Sequence, residues 1–259
     1  ALIGRAILPT TVGIATRQVF RISEAAQEAY RLRFDDDSTQ SIDQKALLIY
    51  GTQASAAPAP NQPIRWIEVE VPTQFLPEGV HLLDTPGMGS LYAAHTQITQ
   101  RFVPLADAVV YILDSSRPID CLDQNFINTI LSATRHLLFV QTKIDAYNDQ
   151  DWQSVQQRNQ EILQQKFGNR LADPRVWPIS SKLLLDAANT ANINKLADLT
   201  ASHYPELEPA LQDFLFQAAG WRHMVDALGA AVGYHRDVKA VLENRLNNLN
   251  AESKQRHTA

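Results

Sequence analysis

Short β-rich runs that alternate with polar, helix-forming stretches constrain the fold of this chain more than any other feature. Two of these runs, AVVYILD (108–114) and HLLFVQT (136–142), are almost continuously apolar, which is typical of interior strands buried on both faces. The alternation predicts an α/β fold with a mostly parallel sheet and flanking helices. The other predicted strands are residues 17–22, 30–34, 65–71, 80–84 and 176–180.

Finer expectations concern the first third of the chain. We expect residues 17–22 and 30–34 to pair as a hairpin. The run RWIEVEV (65–71) alternates apolar and charged residues, which predicts a half-exposed strand near an edge of the sheet. Ser41 and Gln44 have the spacing of a capping box, so we expect a short helix to begin at Ser41.

The composition indicates a soluble protein of a reducing compartment. The net charge of -5 argues against a nucleic-acid-binding surface. A single cysteine, Cys121, excludes an internal disulfide framework. No apolar run approaches the roughly 18 residues that a membrane span needs, and the amino terminus does not resemble a signal peptide. We therefore expect a cytoplasmic location or peripheral membrane contact, and no nucleic-acid partner.

The sequence becomes entirely helix-like after residue 200. A helix that begins near Trp221 could run for about 30 residues, or roughly 45 Å, which favours a helical arm. A carboxy-terminal helix packed on the sheet is the alternative. Apolar residues at steps of three, four or seven form one face of this helix: Met224, Leu228, Ala231, Val238, Leu242 and Leu249.

An acidic residue and a glycine follow the predicted strand VHLLD (80–84). Asp84 stands at its carboxyl end, where open parallel sheets bind their ligands. A carboxylate at this place can hold Mg²⁺, usually through water. Gly87 has no Cβ, so the backbone can approach a phosphate closely. The pair is weak evidence alone, because a chance loop has the same pattern.

Two further motifs follow later strands. Thr142, Lys143 and Asp145 come at the end of HLLFVQT, and Asp145 can accept hydrogen bonds from N1 and N2 of guanine, a donor pair that adenine lacks. Lys143 can lay its methylene stem over the base plane. In ISSK (179–182), Ser181 and Lys182 could close over the base. Three such motifs in this order, each after a strand, predict a guanine-nucleotide site.

This series of motifs resembles the P-loop GTPases and, in its details, the bacterial dynamin-like proteins. ILPTTVGIATRQVF (7–20) is similar to their first switch. Residues 69–90 and 105–120 are also similar to that family, and YPELEPALQDFL (204–215) resembles its passage from GTPase domain to helical neck. The resemblance covers nearly the whole chain. It implies a P-loop GTPase-type sheet over residues 1–200 and the start of a helical neck over residues 201–259.

The resemblance also implies roles for particular residues. Thr16 would bind Mg²⁺ and position the attacking water, although Thr10 or Thr11 could serve instead. Asp84 would be a carboxylate that holds Mg²⁺ through water, and Gly87 would sense the γ-phosphate. The residues that would select guanine or line the base and ribose are Thr142, Lys143, Asp145, Ser180, Ser181 and Lys182. The implied cofactor is Mg²⁺, and the implied ligands are GTP and GDP.

The phosphate-binding loop of such a GTPase is absent from this sequence. The loop ends in Gly-Lys-Ser/Thr, and the chain has ten glycines but no Gly-Lys pair. In the family, the helix after the loop ends in something like Asn-Ala-Leu-Ile-Gly, and this chain begins with ALIG. We therefore expect a piece of a longer protein. The strand lost with the loop would lie between the VHLLD and AVVYIL strands.

The resemblance implies a function for the parent protein. It would hydrolyse GTP to GDP and phosphate, coupled to self-association through the GTPase domain and helical stalk and to membrane remodelling. Membrane contact would come from regions outside residues 1–259, and this piece alone would be inactive. Two alternatives stay open: a GTPase of another class, such as ribosome assembly, and a non-catalytic scaffold that keeps the GTPase shape for protein contacts.

Overall fold

The computed structural model describes the chain in several stretches. The described residues are 3, 7, 8, 18–51, 62–86, 101–189 and 191–257. Thr16 and Gly87 lie outside them, as do the side chains of Met224 and Leu249. The chain divides into two compact units, Ala1–Phe214 and Leu215–Ala259. The functional assignment of residues 1–200 and 201–259 stays a prediction, because compactness alone does not show what either part does.

The first unit contains a five-stranded mixed sheet. Its strands are β1 (Phe20–Glu24), β2 (Ala29–Phe34), β3 (Thr39–Ile42), β4 (Ile64–Val71) and β5 (His81–Asp84), in the order β3-β2-β4-β1-β5. β1 and β4 are parallel, and the other neighbouring pairs are antiparallel. One face is an apolar core that also takes in Leu47 of helix α1 (Ala46–Gly51). The helix ends in glycine because any Cβ at Gly51 would lie 2.2 Å from the Phe20 ring.

A second sheet in the same unit is entirely parallel. It consists of β6 (Val109–Asp114), β7 (Leu137–Thr142) and β8 (Val176–Pro178), in that order. Helices α2 (Cys121–Ala133) and α3 (Asp149–Phe167) contribute Phe126, Ile127 and Leu163 to a core on one of its faces. The alternation of strands and helices confirms the predicted α/β fold with a parallel sheet.

Each sheet has two edge strands among the described residues: β3 and β5 in the first sheet, and β6 and β8 in the second. β5 pairs with β1 alone, and β6 pairs with β7 alone. Ile112 of β6 is 59% exposed, although the sequence predicted an interior strand buried on both faces. The buried face of β6, with Tyr111 and Leu113, satisfies only half of that expectation.

The predicted hairpin of the first two strands is wrong, and so is the edge position of RWIEVEV. β4 lies between β1 and β2 at the centre of the sheet. Its acidic residues form ion pairs with arginines of the neighbouring strands. The Glu68 carboxylate accepts a hydrogen bond from Arg33 Nε at 3.0 Å and lies 3.7 Å from Arg21 Nη1. Glu68 is thus shared by arginines of both neighbouring strands. The alternation of apolar and charged residues in β4 therefore arises from ion pairs between strands and not from exposure to solvent.

The predicted helix start at Ser41 is also wrong. Ser41 lies in β3, paired with Arg31 of β2. Helix α1 begins four residues beyond the strand, at Ala46, whose N–H donates to the Asp43 carboxylate at 2.8 Å. A carboxylate accepts this bond more strongly than a hydroxyl, and the ladder bonds of β3 hold Ser41 in extended conformation.

Three more helices complete the described chain: α4 (Ser181–Ala188), α5 (Lys195–Ala201) and α6 (Tyr204–His257). α6 begins well before the predicted position near Trp221. Tyr204, Leu207 and Leu211 at its start are buried in the first unit. In the second unit, Leu228, Val238 and Leu242 of the predicted apolar face are exposed. No helix within the described residues is both long enough and apolar enough to cross a membrane.

Candidate functional site

The residues predicted to select guanine lie at the carboxyl end of the second sheet. Thr142 is the last residue of β7, opposite Asp114 of β6. Its hydroxyl donates to the Leu113 carbonyl at 3.2 Å. The Thr142 carbonyl in turn accepts the backbone N–H and the hydroxyl of Ser115, at 3.2 and 2.7 Å. These hydrogen bonds fix Thr142, the first residue of the motif, at the end of the strand.

Lys143 turns the chain out of the strand. Its φ of 64° and ψ of 30° are left-handed, which a side chain with a Cβ adopts at a cost of about 1–2 kcal/mol. Strain of this kind is concentrated at functional sites. The Lys143 ammonium is exposed and lies 2.5 Å from the Asp114 carboxylate. The hydrogen bond to Asp114 raises the pKa of Lys143. Burial alone would raise the pKa of Asp114, but hydrogen bonds from Lys143 and Ser116 have the larger effect and lower that pKa.

Asp145 is held by the next motif of the sequence. It lies in a 3-10 turn, Ile144–Ala146, anchored by the buried Ile144 side chain. The Ser180 hydroxyl donates to the Asp145 carboxylate at 2.5 Å and accepts the Leu183 N–H at 3.1 Å, which caps α4. Ser180 is fully buried, whereas Asp145 is exposed. The structure thus joins two motifs that are 35 residues apart.

Ser181 and Lys182 begin helix α4 directly after the Ser180 cap. Ser181 is partly exposed and Lys182 is exposed. An open cleft of about 880 Å³ borders the 3-10 turn and the start of α4. Its lining includes Asp145, Trp152 and His203.

Asp84 stands at the end of β5, on the other sheet. It is paired with Phe20, whose ring belongs to the apolar core. Burial raises the pKa of Asp84 to about 6. No charged side chain among the described residues offsets this burial, so the carboxylate has the character of a group that a cation would stabilise in its ionised form. The described residues contain no cluster of three or more metal-ligating side chains.

A neutral polar network behind the second sheet was missed in the sequence. Gln141 of β7 donates to Ser115 Oγ at 3.2 Å and to the Trp152 carbonyl at 2.9 Å. Asn159 of α3 donates to Gln141 Oε1 at 3.3 Å and accepts the Ile119 N–H at 2.7 Å. Both amides are fully buried. Gln141 interrupts an apolar run, and Asn159 lies on the same helix face as Trp152 and Leu163. A polar residue at a position expected in the core is the sequence pattern that could have predicted this network.

Comparison with known proteins identifies the family. The sequence pattern that describes the Dynamin family matches residues 1–144, more than half of the chain. This protein belongs to the dynamin family. It is 26% identical over 94% of its length to an "uncharacterized protein in xynA 3'region" of Caldicellulosiruptor sp., of which it covers 59%. It is 21% identical over 83% of its length to the bacterial dynamin-like protein of Nostoc punctiforme, of which it covers 34%.

Solved structures show the same fold. A chain of an oligomerised bacterial dynamin pair, described as a mechanism for long-range sensing and tethering of membranes, superposes with a TM-score of 0.57 at 16% identity. The alignment covers 95% of this dynamin-family chain and 49% of that one. The chain thus spans about a third to three fifths of the length of these three relatives.

Proposed function

We propose that the full-length protein is a dynamin-like GTPase that hydrolyses GTP to GDP and phosphate. The observation that carries this proposal is the Asp145 carboxylate, which lies in the turn after the interior parallel strand β7, is exposed, and accepts a hydrogen bond from Ser180. An acceptor of this kind selects guanine, because guanine presents N–H groups at N1 and N2. Membership of the dynamin family supports the same chemistry.

In this proposal the base is held from several sides. Asp145 accepts the two guanine protons, and the exposed Lys143 side chain covers one face of the base. Thr142 fixes the end of the strand through its own hydrogen bonds. Ser180 orients Asp145, while Ser181 and Lys182 line the base and ribose.

The proposed cofactor is Mg²⁺, and Asp84 fits its site. Asp84 is a partly buried carboxylate, and burial raises its pKa to about 6. Asp84 would hold the ion through water, and Thr16 would supply a hydroxyl ligand. The bound ion would neutralise charge on the β- and γ-phosphates. Gly87 would donate its backbone N–H to the γ-phosphate.

The proposal assigns the phosphate-binding loop to a part of the protein outside these 259 residues. No Gly-Lys pair occurs in the sequence. β5 and β6 each have one edge without a partner strand among the described residues, and such an edge can pair with a further strand, which supports a strand between them. Residues 1–259 alone are therefore proposed to be inactive.

We further propose that GTP turnover is coupled to self-association and membrane remodelling. The exposed apolar side chains Leu228, Val238 and Leu242 of α6 support a helical neck that packs against other helices. The structural relative is described as an oligomerised pair that senses and tethers membranes. The proposed location is the cytoplasm, with peripheral membrane contact through other regions of the protein.

The test is nucleotide titration of the full-length protein and its Asp145→Asn variant. The substitution removes the acceptor for the guanine N1 and N2 protons and leaves an amide beside them. A charge-assisted hydrogen bond contributes about 1.5–3 kcal/mol, so GTP affinity should fall roughly 10–100-fold. Affinity for xanthosine triphosphate should rise relative to GTP, because xanthine has an oxygen at position 2. Unchanged GTP affinity would remove Asp145 from the site.

A non-catalytic scaffold is the second candidate. The absence of a Gly-Lys pair from the whole sequence favours it. The two candidates differ in a single measurement, since a scaffold should bind neither GTP nor GDP even as the full-length protein.

A further inference from the structure

The connection between α5 and α6 is short and fixed in one conformation. Ser202 is fully buried; its hydroxyl donates to the Leu199 carbonyl at 2.6 Å and accepts the Tyr204 N–H at 3.2 Å. His203 has a φ of 56°, which is unfavourable for a residue with a Cβ. Its ring packs edge-on against Trp152, with centroids 5.7 Å apart. Bonds and packing together hold a connection that would not keep this conformation by itself.

This connection is hydrogen-bonded directly to Ser180, the residue that holds Asp145. The Ser202 carbonyl accepts the Ser180 N–H at 2.9 Å. Ser180 then donates its hydroxyl to the Asp145 carboxylate at 2.5 Å. Three successive hydrogen bonds therefore lead from the Tyr204 N–H, through Ser202 and Ser180, to Asp145.

Asp145 has little other support. Among the residues that the structure describes, Ser180 provides the one side-chain hydrogen bond to its carboxylate. The cleft of about 880 Å³ opens on one side of Asp145 and is also lined by His203 and Glu206. Because the carboxylate borders open space there, the position of Ser180 decides its orientation.

We infer that Ser202 is a positioning residue for base selection, an inference that rests on the proposed function. Both carboxylate oxygens of Asp145 must face N1 and N2 of guanine at hydrogen-bond distance, and small displacements weaken such contacts strongly. Ser202 sets the place of Ser180, and Ser180 sets the rotation of Asp145. The start of α6, buried through Leu207 and Leu211, thereby contributes to nucleotide selectivity without touching the nucleotide.

The test compares GDP with inosine diphosphate in the full-length protein. Hypoxanthine lacks the 2-amino group, so a well-oriented Asp145 should bind GDP about 10–100-fold more tightly. In Ser202→Ala the Tyr204 N–H loses its acceptor, and the ratio of the two dissociation constants should fall about 3–10-fold. Ser202→Thr keeps the hydroxyl and should restore the ratio.

Thr200→Val is the matched control. Thr200 donates its hydroxyl to the Leu196 carbonyl at 2.9 Å on the same helix, and it is exposed. This variant loses one comparable hydrogen bond, yet it should keep the selectivity of the wild type. His203→Gly is a second test variant that should fold well, because glycine adopts positive φ readily; its ratio should also fall, since the Trp152 contact is lost.

The outcomes separate the inference from the proposed function. A lower ratio in Ser202→Ala and His203→Gly, with a normal ratio in Thr200→Val, supports Ser202 as a positioning residue. Equal weakening of both nucleotides with an unchanged ratio overturns the inference and leaves a structural role alone. A wild-type protein that binds neither nucleotide overturns the proposed function and the inference with it.

Discussion

The two sheets of the first unit differ in how their polar groups are satisfied. At the end of the second sheet, Asp145 is bonded to Ser180, and Thr142 is fixed by Ser115 and Leu113. At the end of the first sheet, Asp84 is partly buried opposite Phe20, and burial raises its pKa. The base-selecting half of the proposed site is thus built by protein contacts, whereas the metal and phosphate half depends on groups that the described residues do not supply.

The buried networks of the two sheets differ in the same way. Glu68 anchors the first sheet as an ion, with Arg33 Nε and Trp66 Nε1 donating to it at 3.0 and 3.1 Å. Gln141 and Asn159 anchor the second sheet as neutral amides. An ionic anchor responds to pH and a neutral one does not, so stability measurements can separate the two sheets.

The largest expected effect concerns the two halves of the site. Purified residues 1–259 should bind GTP more than about 1,000-fold more weakly than the full-length protein, because several charge-assisted contacts to phosphate are missing. The measurement is calorimetric titration with Mg²⁺ and GTP. Micromolar GTP binding by residues 1–259 would show that another segment cradles the phosphates.

The neutral network of the second sheet should be the next most sensitive region. Asn159→Leu leaves the Ile119 N–H and Gln141 Oε1 unsatisfied in the core, which should lower the free energy of unfolding by about 2–4 kcal/mol. The loss should be the same between pH 5 and 8, because no group in this network titrates there. Asn128→Leu, at an exposed position of α2, is the control and should cost under about 1 kcal/mol.

Glu68→Gln should be destabilising in a pH-dependent manner. Burial tends to raise the pKa of Glu68, but hydrogen bonds from Trp66 and Arg33 outweigh it and lower the pKa below the ordinary 4.5. The stabilisation is therefore fully present above pH 4.5 and is lost as the pH falls through the lowered folded-state pKa. Chemical denaturation should show a loss of about 1–3 kcal/mol at pH 7 that shrinks as the pH falls below 4.5.

The control for Glu68 is Glu70→Gln on the same strand. Glu70 pairs with Arg31 at 2.7 Å but is more exposed, so its loss should cost about 1 kcal/mol or less. Equal costs for the two substitutions would contradict the anchoring role of Glu68.

The smallest expected effect is that of Leu242→Asp on nucleotide affinity. Leu242 is exposed in the second unit, so GTP affinity should change less than about twofold. Turnover measured over a range of protein concentrations should instead lose its dependence on assembly. A variant that loses GTP binding while it still assembles would show that this part of α6 supports the GTPase domain rather than a neck.

The sequence predicted the second sheet better than the first. β6 and β7 are apolar runs followed by polar motifs, and both strands and their order along the chain are found. The alternating pattern of β4 misled, because Glu68 and Glu70 face arginines of β2 rather than water. Pairing partners depend on contacts between distant residues, which periodicity along one strand does not contain.

The residues of the site could be found from motifs, but not the bonds between them. Asp145 and Ser180 were each predicted, and their direct contact emerges only when the two strand ends come together. Ser202 carried no signal, because its hydroxyl bonds only to the backbone of Leu199 and Tyr204 and its carbonyl accepts the Ser180 N–H, contacts that no sequence motif records. Thr16 and Gly87 lie outside the described residues, so their roles stay predictions.

The most direct test of the central claim is binding and turnover of GTP and ATP by the full-length protein with Mg²⁺. The Asp145 arrangement predicts that GTP is bound at least about 10–100-fold more tightly than ATP and is hydrolysed to GDP and phosphate. Equal affinity for GTP and ATP, or no binding of either, would contradict the assignment of this dynamin-family chain as a guanine-selective GTPase.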